Sequence, residues 1–548
     1  NTGDGVTILA YGPESALGRF RERLTRDRPV LAEIERIEEG KTAAEECRST
    51  FKITKSTNGT GAVAVTADAA TCADCLAEMR DPADRRYRYP FINCVNCGPR
   101  FSIIESVPYD RHATTMRAFE MCADCSAEYE DAADRRFHAE PIACPVCGPT
   151  LTLVTRDGPG AGDPIEEAVA RRKGGQIFGV LGVGGFHLAV CAEDEAAVAE
   201  LRERKARPGK PFALMVRDLA VAARYQAPSE AVARVLSGTA APIVIAPARR
   251  IPQGVAPGLN AVGVMLPSTP LHHLLIAHFD EALVMTSANR SGDPQVTTLA
   301  EANKAIGDVA AACLTHDRPI AHRIEDSVSL VRDGGVATVR RARGLAPAPI
   351  ALPSDFAPHP PMLAMGGDLK NAFAIAASGR VMLSPHVGDL ASRAAQKDLR
   401  KSIRLQLAMA GVTPAAIVVD PNTSYHSRRL GERLSNEWGV PCETVGHHHA
   451  HVAACLAENG VAKGTPPVLA LTLDGLGVSE EGALHGCELW VADYRDAKRI
   501  GGLRPTALLG GDRAAKEPWR NLAARLDDAF GDKRSWPEPF LALLAGRP

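Results

Sequence analysis

Apolar and polar positions along this chain change period several times, and the changes mark its segments. Near the start, Val6-Thr7-Ile8-Leu9-Ala10 reads as a strand, 14–24 as a helix and Ile34-Glu35-Arg36-Ile37 as a second strand. The stretch 72–147 has no long apolar run and is punctuated by cysteines. Residues 155–163, with Arg156-Asp157-Gly158-Pro159-Gly160 inside, carry the turn chemistry of a linker. From Pro164 the pattern alternates: a helix over 164–172, apolar runs at 177–181 and 187–191, a charged helix over 193–205, and strands at 212–216, 243–245 and 282–285. This alternation predicts an α/β domain reaching about Pro347. A Pro-rich linker over 346–361 leads to strands at 362–365, 373–376, 416–420 and 468–473.

Composition narrows the class. A chain of 548 residues holds about three or four domains. Apolar residues make up 45% and aromatics 5%, which suits α/β domains better than an aromatic-rich β protein. Lys plus Arg is 63 against 65 for Asp plus Glu, so no global basic field points to non-specific nucleic-acid binding, and an anionic ligand needs a local site. No apolar run reaches membrane-spanning length and no signal peptide is visible, which points to a cytoplasmic protein. The chain opens at Asn1 without an initiator Met and stops at Pro548 after a helix-like stretch, so both ends read as cut.

The cysteines form a duplicated unit. Cys72, Cys75, Cys94 and Cys97 recur fifty positions later as Cys122, Cys125, Cys144 and Cys147. Between the pairs, Asp81, Asp84, Arg85, Arg86 and Tyr87 are answered by Asp131, Asp134, Arg135, Arg136 and Phe137, and Gly98-Pro99 by Gly148-Pro149. Two Cys-x-x-Cys pairs complete a tetrahedral thiolate site, so two structural zinc ions are the simplest reading. A disulfide framework or redox motifs would use the same spacing, but the chain shows neither a secretory segment nor a thioredoxin-like context. Spacing favours ligation within each repeat, while interleaved ligation would use the same residues. The other six cysteines (Cys47, Cys191, Cys313, Cys442, Cys455 and Cys487) are scattered singly, as in a reduced protein.

Further segments carry chemistry. Arg204-Lys205-Ala206-Arg207-Pro208-Gly209-Lys210-Pro211 puts a cluster of cations on a turn between helix and strand, where they can hold a triphosphate or simply be solvated. Met285-Thr286-Ser287-Ala288-Asn289-Arg290-Ser291-Gly292 puts small polar groups at a strand end, where α/β sheets bind ligands. Leu266-Pro267-Ser268-Thr269-Pro270-Leu271-His272-His273 and Arg340, Arg341 and Arg343 before Gly344 belong to the same segment. In the last domain, Gly366-Gly367 lies between strands, where backbone N–H groups can approach phosphates. In Gly446-His447-His448-His449-Ala450-His451, residues His447 and His451 stand one helical turn apart and face the same way. Asp474, at the end of the strand 468–473, supplies a third ligand, and two His with one carboxylate suit Fe2+, with Zn2+ or another divalent ion as alternatives. A partly exposed His cluster at a helix start is the competing reading.

Three resemblances follow from these residues. Asn1-Thr2-Gly3-Asp4-Gly5-Val6 and the elements after it resemble the second half of an acylphosphatase domain, a ferredoxin-like fold, over 1–44; the match makes Asn1 the catalytic asparagine, whereas the residues alone allow it to cap a turn. The phosphate-cradling loop of that family would lie upstream. The tandem zinc units occupy 60–154. The lysine-arginine turn and the Thr-Ser-Ala-Asn-x-Ser-Gly element over 164–347 resemble the YrdC-like nucleotide-binding domains, which form acyl adenylates. That resemblance implies that Lys205, Arg207 and Lys210 hold phosphates or the carbamoyl group, and that Ser287, Asn289, Thr269 and Arg343 contact the nucleotide. The histidine segment, Leu508-Leu509-Gly510-Gly511-Asp512-Arg513-Ala514 and Glu517-Pro518-Trp519-Arg520 over 360–548 resemble a Kae-type carbamoyltransferase domain of the actin-like ATPase fold, with Gly366, Gly367, Gly510 and Gly511 toward the nucleotide. That family also uses an Asp of a C-terminal subdomain absent from this chain, and has Thr where Leu476 stands and Asp where Glu481 stands.

In this order the segments make a multidomain α/β protein that resembles the HypF family, the carbamoyltransferases of nickel–iron hydrogenase maturation. The resemblance implies that carbamoyl phosphate is hydrolysed to carbamate, that carbamate and ATP with Mg2+ give carbamoyl adenylate, and that the carbamoyl group passes to the C-terminal cysteine of a HypE-type acceptor. The missing upstream loop implies that hydrolysis is dead in this chain. Two alternatives use the same features differently. An enzyme that threonylcarbamoylates tRNA or carbamoylates a small-molecule hydroxyl shares the last two domains but gives the zinc units no role. A zinc-dependent binding module would hold clients without nucleotide turnover.

Overall fold

The computed structural model describes residues 6–32, 34, 37–41, 65–277, 279–290, 292–332, 335–356, 359–479, 482–511 and 513–546, and in these leaves aside the side chains of Leu476 and Lys533. It falls into two compact units, one of residues 1–350 with 361–415 and one of 351–360 with 416–548.

The first unit is built on one mixed sheet. Its strands are β1 (Leu151–Thr155), β2 (Gly158–Pro159), β3 (Phe178–Leu181), β4 (Phe186–Cys191), β5 (Ala213–Met215), β6 (Ile243–Pro247), β7 (Ala261–Met265), β8 (Leu283–Ser287), β9 (Ala312–His316), β10 (Val328–Arg332) and β11 (Gly335–Arg340). They run in the order β11-β10-β6-β7-β5-β8-β4-β3-β9-β1-β2. Parallel pairs (β3 with β9, β5 with β7, β6 with β10) sit among antiparallel ones. Strand β4 shows why its apolar run is unbroken: Phe186, Leu188 and Val190 enter one core, and Ala189 enters a second on the opposite face. A sheet buried on both faces needs apolar residues at every position.

The second core is where the cysteine repeats join the sheet. Cys75, Met79, Phe91 and Ile92 of the first repeat pack with Leu153, Phe178, Leu271 and Met285. The second repeat has a small core of its own around Cys125, Ala139 and Ile142. The expected linker over 155–163 is instead partly sheet, because β1 pairs antiparallel with β9 and turns at Arg156-Asp157 into β2. Gly158 has φ +120°, a conformation glycine adopts without strain. The helices of the α/β segment form where read, with small shifts: Pro164–Lys173 is capped by Asp163, and Glu195–Arg204 by Asp194.

Helix Glu14–Arg26 forms as expected. Residues 6–10 do not form a strand; they are exposed and have no ladder partner among the described residues, and an apolar run becomes a strand only when paired. In the expected strand at 34–37, Ile34 and Ile37 belong to no strand, while Glu35, Arg36 and Asn1 fall outside the described residues. Later in this unit, Met362–Ala364, Ala374–Ala377 and Arg380–Leu383 form an antiparallel meander. Helix Arg393–Ala410 follows, capped by Ser392 and ended by Gly411 at φ +60°.

In the second unit, strands Ala416–Val419 and Cys442–Thr444 pair in parallel, linked by helix His426–Trp438. Helix His447–Glu458 comes next, then a three-stranded antiparallel sheet of Val468–Val478, Leu484–Ala492 and Ala497–Gly502. Leu469, Leu471 and Leu473 point outward on the first of these strands. The period of two therefore turns Thr472 and Asp474 to the other face. Among the described residues no helix is long and apolar enough to cross a membrane.

Leu188→Ala removes a fully buried side chain from the first core. It is expected to cost about 2–5 kcal/mol, read as a lower midpoint in chemical denaturation followed by circular dichroism.

Candidate metal centres and nucleotide site

Each cysteine repeat closes on itself. Cys72 caps helix Ala73–Arg80, which carries Cys75 in its first turn, and Cys122 and Cys125 occupy the same places on helix Ala123–Glu130. The Sγ–Sγ separations are 3.6 Å for Cys72–Cys94, 3.9 Å for Cys94–Cys97 and 3.6 Å for Cys97–Cys75. In the second repeat they are 3.7 Å for Cys122–Cys144, 3.7 Å for Cys144–Cys147 and 3.6 Å for Cys147–Cys125. Four sulfurs at about 2.3 Å from one Zn2+ form a tetrahedron with edges of about 3.8 Å, so both clusters fit a zinc ion as they stand.

The two clusters are braced by each other's repeat. Arg85 places its guanidinium 3.4 Å from Cys125 Sγ and 2.8 Å from Glu128. Arg86, almost fully buried, donates to both oxygens of Glu128 at 3.1 and 2.5 Å and to the Ala143 carbonyl at 2.9 Å. Reciprocally, Arg135 reaches Cys75 Sγ at 3.2 Å and Glu78 at 3.0 Å, and Arg136 donates to Glu78 and to the Asn93 carbonyl. Burial opposes ionisation of Glu128, yet Arg86 and Arg85 hold its carboxyl down at about 2.

In the α/β segment the structure brings Lys205, Ser287 and Asn289 together. The Lys205 ammonium, only 6% exposed, donates to the Ser287 carbonyl at 2.6 Å, the Asn289 carbonyl at 2.9 Å and Asn289 Oδ1 at 2.8 Å. Its three protons are thus spent on the turn that follows β8. Burial, and then Arg207, draws its pKa down to about 7. Ser287 donates to Asn289 Oδ1 at 2.8 Å and Asn289 Nδ2 to the Asp293 carbonyl, which fixes the turn. The cationic turn itself is wrapped by Arg202, whose guanidinium donates to the Arg207, Lys210 and Val255 carbonyls and lies over Phe212. Arg207 donates to the Pro211 carbonyl, and its pKa is lowered to about 10 by burial, with Arg202 and Arg340 adding to the effect. The Lys210 side chain is exposed.

Thr269 and Arg343 are held by other partners. The Thr269 hydroxyl caps helix Pro270–Ile276. Arg343 is buried, with its donors on Asp326 Oδ1 at 2.7 Å and the Ala240 and Ala241 carbonyls at 3.1 and 2.8 Å. His187 meets the other oxygen of Asp326 at 3.1 Å. Thr269 and Arg343 line a pocket whose wall includes none of Lys205, Arg207, Lys210, Ser287 and Asn289.

In the second unit, ligand atoms of His447, His451 and Asp474 lie within 4.8 Å of one another. His447 Nε2 is 2.9 Å from Asp474 Oδ2, and His451 Nε2 is 3.9 Å from it. His447 Nδ1 is tied to Asp420 at 2.6 Å, and this hydrogen bond, before any other cause, raises the His447 pKa. Burial, then His447, lowers that of His451. A carboxylate on the far nitrogen is what orients an imidazole for a metal. Behind this group, buried Glu488 accepts from His448 Nδ1 at 2.9 Å, His485 Nδ1 at 2.6 Å and Arg499 Nε at 2.5 Å.

The sequence reading gave Asp420, Glu488, Asp326 and Arg202 no role; the one available signal was an acidic residue ending the apolar run 416–420. Gly366, with φ +67°, leaves no room for a Cβ, which would stand 2.4 Å from the Ala372 carbonyl. Gly510 and Gly511 also have positive φ, at +84° and +58°, beside a helix at Arg513–Lys516. Asp512 falls outside the described residues.

Finger, sheet domain and histidine domain together define a multidomain carbamoyltransferase. The family model described as "HypF finger" matches residues 71–104 and 121–154, "Telomere recombination" of the Sua5, YciO and YrdC group matches 171–342, "HypF Kae1-like domain" matches 357–458, and "Carbamoyltransferase, Kae1-like Domain, second subdomain" matches 470–543. Carbamoyltransferase HypF of Rhodobacter capsulatus is 45% identical over 530 residues, which is 96% of this chain and 71% of the relative. The probable carbamoyltransferase HypF of Methanocaldococcus jannaschii is 36% identical over 97% of this chain and 70% of its own length. Among solved structures, a full-length HypF in a phosphate- and nucleotide-bound form has a TM-score of 0.90 at 38% identity, covering 98% of this chain and 69% of that one. T. kodakarensis HypF has a TM-score of 0.84 at 37% identity, covering 95% and 67%. The chain belongs to the HypF family, the carbamoyltransferases of nickel–iron hydrogenase maturation.

Arg135→Gln withdraws the guanidinium from Cys75 Sγ and Glu78 while leaving all eight cysteines in place. Zinc release to a chromogenic chelator is expected to be about tenfold faster than from the wild-type protein, since a charge-assisted hydrogen bond contributes about 1.5–3 kcal/mol.

Proposed function

We propose that the chain forms carbamoyl adenylate at the Lys205–Asn289 turn and delivers the carbamoyl group to the C-terminal cysteine thiolate of a HypE-type acceptor protein. The observation that carries this reading is the Lys205 ammonium joined to Ser287 and Asn289, because it brings a cation-rich turn against small polar groups at a strand end. In the first step a carbamate oxygen attacks the α-phosphorus of ATP; the new O–P bond forms as pyrophosphate leaves, and ATP enters with Mg2+ to offset the leaving charge. Arg207 and Lys210 are the cations on hand for that charge, while Lys205 keeps the turn in shape. In the second step the acceptor thiolate attacks the carbamoyl carbon, the C–S bond forms and AMP departs. Asn1 of the acylphosphatase-like segment is assigned to the hydrolysis of carbamoyl phosphate to carbamate, a step that also needs that family's phosphate-cradling loop.

His447, His451 and Asp474 would hold a divalent ion, Fe2+ or Zn2+, which when bound supplies Lewis-acid polarisation for the transfer. The donor set fits such an ion: the Asp420 bond at His447 Nδ1 commits the Nε2 lone pair toward Asp474. Gly366 and Gly367 of the first unit, and Gly510 and Gly511 of the second, are each assigned to phosphate contacts, since bare backbone suits close approach to phosphate and Gly366, Gly510 and Gly511 have positive φ.

ATP–pyrophosphate exchange tests the adenylation step. Exchange is expected with ammonia plus bicarbonate, and Asn289→Ala is expected to lower it at least about tenfold, because the turn then loses its side-chain acceptor for Lys205. Exchange that requires threonine would overturn the reading in favour of threonylcarbamoyl transfer. For the metal, Asp420→Asn is expected to weaken Fe2+ or Zn2+ binding by roughly 10–100-fold in a competition titration while leaving exchange unchanged.

A further inference from the structure

The segment Ser384-Pro385-His386-Val387-Gly388-Asp389 follows the antiparallel meander and takes no part in the chemistry above. Hydrogen bonds fix it on two sides. Toward the meander, the buried Ser384 donates its N–H to the Phe373 carbonyl at 2.8 Å, and Val387 N donates to the Asn371 carbonyl at 2.8 Å. Toward the α/β segment, His386 N donates to the Arg341 carbonyl at 3.1 Å. Arg323 donates to the Val387 carbonyl at 2.9 Å and to Asp398 at 2.9 Å, so this loop and helix Arg393–Ala410 share one guanidinium. All of these residues belong to the first unit.

The loop thereby presents the half-buried His386 ring, and among the described residues neither ring nitrogen has a hydrogen-bond partner. Charged groups surround it: Glu325, Arg340, Arg323 and Asp389. Burial lowers its pKa, against the opposing pull of Glu325, so the ring is neutral and has one N–H to donate. Glu325 does not need that donor, because Arg340 already meets it at 2.7 Å and Arg323 at 3.5 Å. Asp389 accepts from Lys370 N at 2.8 Å. Glu325 and Arg340 also act on Arg207, and Glu325 on Lys205, so His386 faces the same charged ground as the cationic turn. A neutral N–H donor among guanidiniums, with no protein acceptor bound, suits an anion that those cations attract. We infer that His386 contacts the phosphate chain of the nucleotide at the adenylation turn, so that the segment following the Pro-rich linker completes a site built otherwise from the α/β segment. The inference rests on the proposed adenylation for the nucleotide's location. His386 serves there as a hydrogen-bond donor, and no covalent step is assigned to it.

Calorimetric titration of the zinc-loaded chain with ATP and Mg2+, and separately with adenosine, tests this contact without carbamate. His386→Ala is expected to weaken ATP binding about tenfold and to leave adenosine binding unchanged, since adenosine has no phosphate to receive the bond. His386→Gln, which keeps an N–H donor, is expected to recover most of that loss. His386→Phe, which keeps a ring of similar volume but no donor, is expected to recover none of it, and it stands in should His386→Ala not fold. Arg207→Gln marks the site, because the binding step it weakens must be the one that His386→Ala weakens. Unchanged ATP affinity in His386→Ala, equal losses for ATP and adenosine, or a loss confined to a step that Arg207→Gln spares would each overturn the inference. ATP–pyrophosphate exchange with ammonia plus bicarbonate on the same samples reports separately on the adenylation reading: a chain that binds ATP through His386 but does not exchange would overturn the reaction and spare the contact.

Discussion

A zinc ion held by four thiolates carries a net charge of about minus two, and this chain folds two such clusters into partly buried ground. That charge has to be answered, and the answer comes from the opposite repeat in each case: Arg85 reaches Cys125, and Arg135 reaches Cys75. The carboxylates Glu128 and Glu78 hold these arginines and their neighbours Arg86 and Arg136 in place. The duplication is therefore more than two copies of one finger. Ligation stays within each repeat, while charge balance crosses between them. Because the first repeat also packs into the second core of the sheet, the bracing fixes the whole cysteine segment to the α/β domain.

The same economy of buried cations organises the nucleotide side. Lys205, Arg202 and Arg343 spend their donors on backbone carbonyls and on Asn289 or Asp326, so each acts as a clamp on a turn. The cations left for a ligand are those on the exposed side of the turn, Lys210 above all. A motif of clustered positive residues thus divides into members that build the site and members that face the substrate. Sequence alone does not separate them, because the distinction lies in which carbonyls happen to be within reach.

Much of the architecture was legible. The cysteine repeat announced itself by spacing, the α/β domain by alternation, and the pairing of His447 with His451 by helical period. Asp474 was read as ending a strand at 468–473; the strand instead runs on to Val478, and Asp474 reaches the inner face because Leu469, Leu471 and Leu473 take the outer one. What escaped depended on contacts between distant residues. Asp420 meets His447 across 27 positions, and Arg343 meets the Ala240 carbonyl across 103. The supposed linker at 155–163 misled because Arg156-Asp157-Gly158 is good turn chemistry both for a free connection and for a hairpin. Only the availability of β9 as a partner decided between them. The run 6–10 failed for the converse reason: it is apolar enough for a strand but lacks a described neighbour to pair with.

The histidine segment shows how one carboxylate can settle a site that residue type leaves ambiguous. Four histidines within five residues offer several two-ligand combinations. Asp474 gathers three of the histidines. Asp420 engages His447 at Nδ1, so that Nε2 faces Asp474. Glu488 holds His448 Nδ1 in the same way, and His448 Nε2 stands 3.5 Å from Asp474. His451, one turn on from His447 and half exposed, stands 3.9 Å from the same carboxylate. His449 alone is drawn away, by the Asp493 carbonyl. His447 and His451 are the pair that helical geometry alone would place on one face.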